Sequence, residues 1–319
     1  MITVVRPGPL TSVQDLGRPG YAHLGVPRSG ALDQPALRRA NALVGNGVEA
    51  AGLETTLLGC ALRFEVTAWV AVTGADAIVR VDRRPVSTDE AIEVPAGAVL
   101  EIGRAQRGVR SYLAVAGGID VEPVLGSRST DTLSGLGPPK LAEGTTLPIG
   151  TQSPATPAPA AATPAPATPA AATPAPATPA QAPASAVADI SGVAAMANNR
   201  PRPAASSADG ELVLGVRLGP RDDWFEAAGL FAEAYAVSPL SNRVGCRLAG
   251  SALTRTKAGE LSPEGVVLGA VQVPADGQPL IFLADHPTTG GYPVLGVVDD
   301  VTPLAQARPG TTVRFRAID

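Results

Sequence analysis

The chain has 319 residues, 45% of them hydrophobic and 17% charged, with a net charge of −4. That length accommodates two domains of ordinary size. The mild acidity argues against nucleic acid or another polyanion as partner, and no apolar run approaches the ~20 residues that span a bilayer. The start, Met1-Ile2-Thr3-Val4-Val5-Arg6-Pro7, has no basic stretch leading into an apolar one, and the only cysteines, Cys60 and Cys246, lack metal or disulfide-framework spacing. A cytoplasmic protein without membrane association is expected. Lysine occurs only at Lys140 and Lys257, a bias that a GC-rich genome explains as readily as function does.

In chain order, the first dense polar segment is 14–20, continuing through 25–33. Gly17, Gly20, Gly25, Gly30, Pro19 and Pro27 fold it tightly, and Gln14, Asp15, Arg18, His23, Arg28 and Ser29 crowd onto it. It reads either as a structural turn cluster or as the wall of a polar pocket, because rigid loops on a β scaffold carry binding groups. Asp33 then caps a helix running to about residue 44, with Pro35 in its first turn and Leu37, Ala40, Leu43 and Val44 at helical spacing. Gly45 or Asn46 ends it in a left-handed conformation. Asn41 reads as structural. Glu54, between apolar stretches, reads as a partly buried carboxylate. Short strands are expected at 62–66, 69–73, 77–82, 91–94, 99–102 and 111–115. After them, Gly117-Gly118 and Gly126-Ser127-Arg128-Ser129-Thr130 form a loop whose N–H groups, hydroxyls and guanidinium either face an anion or simply make a turn. It is not a P-loop, since no Gly-Lys-Ser/Thr follows.

Residues 151–186 contain only Thr, Gln, Ser, Pro and Ala. Such a tract has no large apolar side chains to offset ordering entropy, so 151–208 is expected to be a disordered, low-complexity insert, with a Pro-rich ligand for another domain as the alternative. It separates an amino-terminal region, 1–150, from a carboxy-terminal one, 209–319. Beyond it, strands are expected at 212–218, 266–273, 280–283, 294–298 and 312–315, and a short helix over 222–233. Many short strands with Gly, Pro and Asp between them imply barrels or sandwiches, so the fold class is mainly β with few short helices.

Two further segments carry chemistry. In 238–248, Arg243 and Arg247 flank Gly245 and either bind a carboxylate or pair with local acids. Asp285-His286-Pro287-Thr288-Thr289-Gly290-Gly291-Tyr292-Pro293 follows an apolar strand. His286 is there either a satisfied structural residue or a proton-transfer group. His23 and His286 are the only histidines, with no companions at ligand spacing, so no metal site is expected. No Gly-x-Ser-x-Gly elbow is present.

Taken together, these segments resemble the biotin-dependent-carboxyltransferase-like family, which includes the 5-oxoprolinase C component, the second component of allophanate hydrolase and a domain of urea amidolyase. The likeness is carried by Gln14-Asp15-Leu16-Gly17-Arg18, by 25–33, by Ala40-Asn41-Ala42-Leu43-Val44-Gly45-Asn46 and by Ala116-Gly117-Gly118-Ile119-Asp120. It continues in Leu125-Gly126-Ser127-Arg128-Ser129, Asn242-Arg243-Val244-Gly245-Cys246-Arg247-Leu248, 269–274 and Thr288-Thr289-Gly290-Gly291-Tyr292-Pro293. The resemblance implies two cyclophilin-like β-barrel regions. It implies the C component of a 5-oxoprolinase-type complex, which opens 5-oxoproline to L-glutamate with ATP. The partners would be a sister B component and a lactam-utilisation-type A component. Its alternatives are a carboxyltransferase moving a carboxyl group from carboxybiotin to urea or a similar amide, and a non-catalytic regulator of the sister component. Met196 stands in Ala195-Met196-Ala197 without the lysine of a biotin attachment site, so biotin would be carried by another polypeptide.

Within that resemblance, Asp15, Asp285 and His286 are expected as acid/base groups, and Arg18, Arg243, Arg247, Thr288 and Thr289 as donors to developing negative charge. Gln14, Ser29, Arg247, Gln272, Thr288, Thr289 and Tyr292 are expected to contact a small amide or lactam. The family pattern carries Asp-Arg/Gln-Gln before Thr-Thr-Gly-Gly-Tyr, where this chain has Asp285-His286-Pro287. The loops 14–18, 242–247 and 285–292 are expected to converge on one cleft. Deleting 151–208 and joining Gly150 to Gly210 by a short flexible linker should leave the melting temperature nearly unchanged. A loss of many degrees in calorimetry would show that the segment packs.

Overall fold

Two long strands, Ala68–Val81 and Val99–Val115, dominate the amino-terminal region of the computed structural model. The structure describes residues 1–151, 210–219, 221–259 and 261–319; the expected insert at 151–208 lies outside them, Thr151 excepted. Alternation of buried and exposed side chains along Ala68–Val81 turns one face of the sheet to a core. Sequence reading splits each long strand in two, but the chain runs through both gaps. Register shifts between Gly74 and Asp76 and between Ala77 and Val79 absorb the local bend, as β-bulges do. The nine-stranded sheet runs Thr11–Gln14, Gly52–Thr56, Val99–Val115, Ala61–Phe64, Ile2–Arg6 and Thr146–Leu147, with Ala68–Val81 also paired to Val99–Val115. Leu53, Leu62, Phe64, Val70, Leu100 and Leu113 fill its core.

The carboxy-terminal strands close into a seven-stranded barrel: Leu212–Leu218, Val294–Val298, Ala270–Gln272, Leu280–Phe282, Gly245–Ala249, Tyr235–Val237 and Thr312–Ala317. Parallel pairing of Leu212–Leu218 with Thr312–Ala317 completes the ring. Leu32, from the amino-terminal region, packs in this barrel's core with Leu214, Val271, Ile281 and Phe315. All described residues belong to one compact unit. The expected mainly β class with two barrel-type regions is therefore present, as a half-barrel and a closed barrel. No helix among the described residues is long and apolar enough to cross a membrane.

The helix expected after Asp33 forms at Gln34–Leu43, with Asp33 Oδ1 accepting from the Ala36 N–H at 3.0 Å. The helix expected over 222–233 is broken into a 3-10 turn, Asp222–Trp224, and a short helix, Ala228–Ala232. Phe225 is extended, buried and bridged to Arg255, so burial of its ring overrides local helical preference. Thr11–Gln14 escapes sequence reading because all four residues are buried although three are polar, which hides the period of two.

The two regions are strapped together by the turn Thr302–Gln306. Gln306 Oε1 accepts from the N–H groups of Val109 (2.9 Å) and Arg110 (3.0 Å), and Nε2 donates to Asp33 Oδ2 (2.9 Å) and the Arg110 carbonyl (3.0 Å). Arg110 Nη1 donates in return to the Ala305 carbonyl at 2.6 Å. Gln306→Ala leaves these groups without partners and should cost about 2–4 kcal/mol in urea unfolding. A change below about 1 kcal/mol would show that the strap contributes little.

Candidate functional site

Loops 14–18 and 25–33 are clasped by two glycines in left-handed conformations, Gly17 (φ 84°) and Gly30 (φ 92°). A Cβ on Gly17 would lie 2.5 Å from the Arg28 carbonyl oxygen, and one on Gly30 would lie 2.8 Å from the Gly17 nitrogen. Only glycine fits at either place. Backbone bonds from Arg18 N–H to the Arg28 carbonyl (2.7 Å) and from Ala31 N–H to the Asp15 carbonyl (2.9 Å) complete the clasp.

Asp15 is enclosed by donors. Its Oδ1 accepts from Gly17 N–H (2.7 Å), Ser127 Oγ (2.7 Å) and Ser129 Oγ (2.5 Å), and its Oδ2 accepts from Arg128 N–H (2.6 Å). The Gly-Ser-Arg-Ser loop thus presents its donors to a carboxylate of this chain. Arg18 is buried and donates to Val124 O (3.2 Å), to Ser29 Oγ (2.9 Å) and to the Ser129 carbonyl. Burial lowers its pKa, opposed by Asp15, Asp131 and Asp285. Ser29 Oγ passes its own hydrogen to Asp131 Oδ2 at 2.7 Å. Gln14 is also buried, donating to Ser12 Oγ (2.9 Å) and Thr130 O (3.1 Å).

Arg243 lies between the two regions with its side chain only 1% exposed. It grips Asp285 in bidentate fashion, with Nε to Oδ2 and Nη2 to Oδ1 both at 2.9 Å. Its Nη1 reaches Glu54 Oε1 at 2.6 Å and its Nη2 the Gly30 carbonyl at 2.7 Å. Glu54 Oε2 accepts from Tyr112 Oη (2.8 Å) and Leu32 N–H (3.1 Å). Asp285 Oδ2 also accepts from Thr132 N–H (3.0 Å) and Oγ1 (2.6 Å). Burial pulls the Arg243 pKa down, but Glu54 and Asp285 outweigh it and the net shift is upward. The guanidinium stays charged.

The loops 14–18, 242–247 and 285–292, expected to converge on one cleft, meet instead in a buried junction: Arg18 donates to Ser29 Oγ, the Ser29 N–H donates to the Ala284 carbonyl at 2.9 Å, and Arg243 touches both Asp285 and Gly30. Asp15, Arg18, Arg243 and Asp285 form the interior of this junction, with their polar groups bonded to other parts of the chain. His286 sits beside them, 7% exposed, its Nδ1 2.6 Å from the Pro287 carbonyl. A carbonyl can only accept, so Nδ1 carries the hydrogen and Nε2 keeps a lone pair. Burial lowers the His286 pKa from its usual 6.5, and the ring is neutral at pH 7. Thr289 and Tyr292 are exposed, Thr288 half-buried, and Gln272 is buried with Nε2 on the Tyr292 carbonyl at 2.8 Å. Arg247 is not drawn in. It points outward from Gly245–Ala249 while Cys246 and Leu248 face the barrel core. Sequence reading does not single out Tyr112, Asp131 or Thr132 as site residues, because nothing local marks a side chain whose partner comes from another region. A cleft of about 300 Å³, lined in part by Arg28, Ser29, Ala284 and Asp299, opens beside the junction.

Residues 24–317 match the carboxyltransferase domain, subdomains A and B. The chain belongs to this family. The carboxyltransferase-domain protein is 36% identical to the 5-oxoprolinase C component of Escherichia coli (strain K12), a match spanning 99% of this chain and 90% of that one. Urea amidolyase of Lachancea kluyveri is 33% identical over 98% of this chain, which corresponds to only 16% of that protein. Among solved structures, Kluyveromyces lactis urea carboxylase is 28% identical with a TM-score of 0.78, covering 100% of this chain and 27% of that one. The carboxyltransferase-domain protein thus spans nearly the whole of one relative and a small part of the other two.

Arg243→Met would leave Asp285 buried without its cation and Glu54 with only Arg110, whose Nε lies 3.5 Å from Oε1. It should destabilise the carboxyltransferase-domain protein by about 3–5 kcal/mol, read as a lower urea midpoint at pH 7. An unchanged midpoint would refute the structural importance of the cluster.

Proposed function

We propose that the chain is the C component of a 5-oxoprolinase-type enzyme, an ATP-dependent hydrolase that opens 5-oxoproline to L-glutamate. It would work together with a sister B component and a lactam-utilisation-type A component. The observation that carries this reading is the 36% identity over 99% of this chain and 90% of the Escherichia coli relative, which leaves no room for a large additional domain in that relative. Opening a lactam needs a proton acceptor and donors for the charge that grows on the amide oxygen. The neutral His286 is the base in this reading. Thr288 and Thr289 supply hydroxyls beside it, while Asp15, Arg18, Arg243 and Asp285 hold the loops that carry them.

ATP is assigned to another component of the complex. The cleft sets Arg28 and Arg38 against Asp299 and Asp300, and a charge-balanced wall does not suit a triphosphate. The second reading, carboxyl transfer from carboxybiotin on another polypeptide to urea or a similar amide, draws on the 33% identity to Lachancea kluyveri urea amidolyase. Carboxybiotin would supply an activated carboxyl group, and Arg28 would hold it.

Co-expression with the A and B components, followed by an assay of ATP-dependent glutamate release from 5-oxoproline, tests the proposal. His286→Gln should lower kcat by about a hundredfold or more. Because burial lowers the His286 pKa, the base stays deprotonated through pH 6.5, and the acidic limb of the wild-type profile should fall below that pH. Biotin-dependent carboxylation of urea without glutamate release would favour the second reading.

A further inference from the structure

Most guanidiniums around the junction are bonded to acceptors of this chain, and Arg28 is the exception. Its Nε is buried without a hydrogen-bond partner. It forms no ion pair among the described residues, although Asp299 and Asp300 line the same cleft. Those two carboxylates are engaged in their own turn: Asp299 Oδ1 accepts from Asp300 N–H (2.9 Å), and Asp300 Oδ1 from Thr302 N–H (2.8 Å). Arg28 is half-buried and lines the cleft, and its Nη groups, which have no acceptor among the described residues, match the two oxygens of a carboxylate.

We infer that Arg28 anchors the carboxylate of a small organic acid in this cleft, so that Arg28 determines specificity for carboxylate-bearing substrates. This rests on the reading of the chain as part of a lactam-opening enzyme, where the ligand is 5-oxoproline. The volume, about 300 Å³, is at the small end for ligand pockets. Leu268, Ala284 and Val301 add apolar surface for a compact carbon ring. The nearby Asp299 and Asp300 disfavour ligands with several negative charges, leaving one carboxylate as the matching anion. His286 lies within electrostatic reach of Arg28, so a ring held by its carboxylate would sit near the proposed base. Arg28 is a specificity and positioning group, and transfers no proton.

The test compares the wild type with Arg28→Met and Arg28→Lys, each as the full chain and in complex with the A and B components. Turnover of 5-oxoproline is measured against 2-pyrrolidinone, the same lactam without the carboxylate, and binding of both ligands and of cyclopentanecarboxylate is followed by calorimetric titration. In Arg28→Met, KM for 5-oxoproline should rise at least tenfold with kcat less affected, the preference over 2-pyrrolidinone should collapse, and carboxylate binding should vanish. Arg28→Lys should recover part of the affinity. An unchanged melting temperature separates these effects from misfolding, since Arg28 has no internal side-chain bond to lose. Unaltered KM and carboxylate binding in Arg28→Met, with the wild type still releasing glutamate, overturns the inference while leaving the lactam-opening reading intact. Arg28-dependent carboxylate binding without glutamate release has the opposite meaning: the site stands and the 5-oxoprolinase reading falls.

Discussion

One buried guanidinium, Arg243, is shared between carboxylates from the two β regions: Glu54 on the strand Gly52–Thr56 and Asp285 just beyond Leu280–Phe282. Removing three charges from water is costly, and the attraction offsets that cost only with good geometry and with the remaining lone pairs occupied. Both conditions hold here. Tyr112 and the Leu32 amide complete Glu54, and Thr132 completes Asp285. Any slip of one region against the other would strand at least one charge. The cluster therefore specifies how the half-barrel and the barrel meet more than it adds net stability.

That constraint spreads along a continuous polar chain. Tyr112 Oη, bonded to Glu54, accepts from the Asp33 N–H at 2.8 Å. Asp33 caps the helix Gln34–Leu43 through one oxygen and receives Gln306 through the other. Burial raises the Asp33 pKa, with the bonds from Gln306 and Ala36 pulling it back. From Asp285 to Gln306, each polar group is held by the next, so the helix start, the strap and the His286 loop share one frame. Fixed groups of this kind need no reorganisation when charge develops nearby.

How much of this is legible in the sequence depends on the distance over which each residue finds its partner. The Asp33 cap is readable because the bonded amide is three residues on. Glu54 is readable as a carboxylate in an apolar stretch, but the Arg243 that grips it is 189 residues away, and no local pattern names it. The importance of Arg18 and Arg243 is visible from their glycine-rich surroundings. Their placement is not, because it follows from tertiary burial. Sequence reading splits the long strands at Gly74 and around 103–110 because bulges and polar outward positions look like turns when pairing is unseen. Arg28 stands in a dense segment without marking itself, since what sets it apart is the lack of a partner.

The same frame governs the histidine. Asp285 is adjacent in sequence to His286, and an unshielded carboxylate there would favour the imidazolium. Its pull is present, yet burial is the larger influence and the net shift is downward. Arg243 and Thr132 occupy the Asp285 oxygens; the Pro287 carbonyl and Asp131 also favour the imidazolium, and Arg28 opposes them. Burial, with Arg28 assisting, thus holds the His286 pKa below its usual value against the Pro287 carbonyl, Asp285 and Asp131.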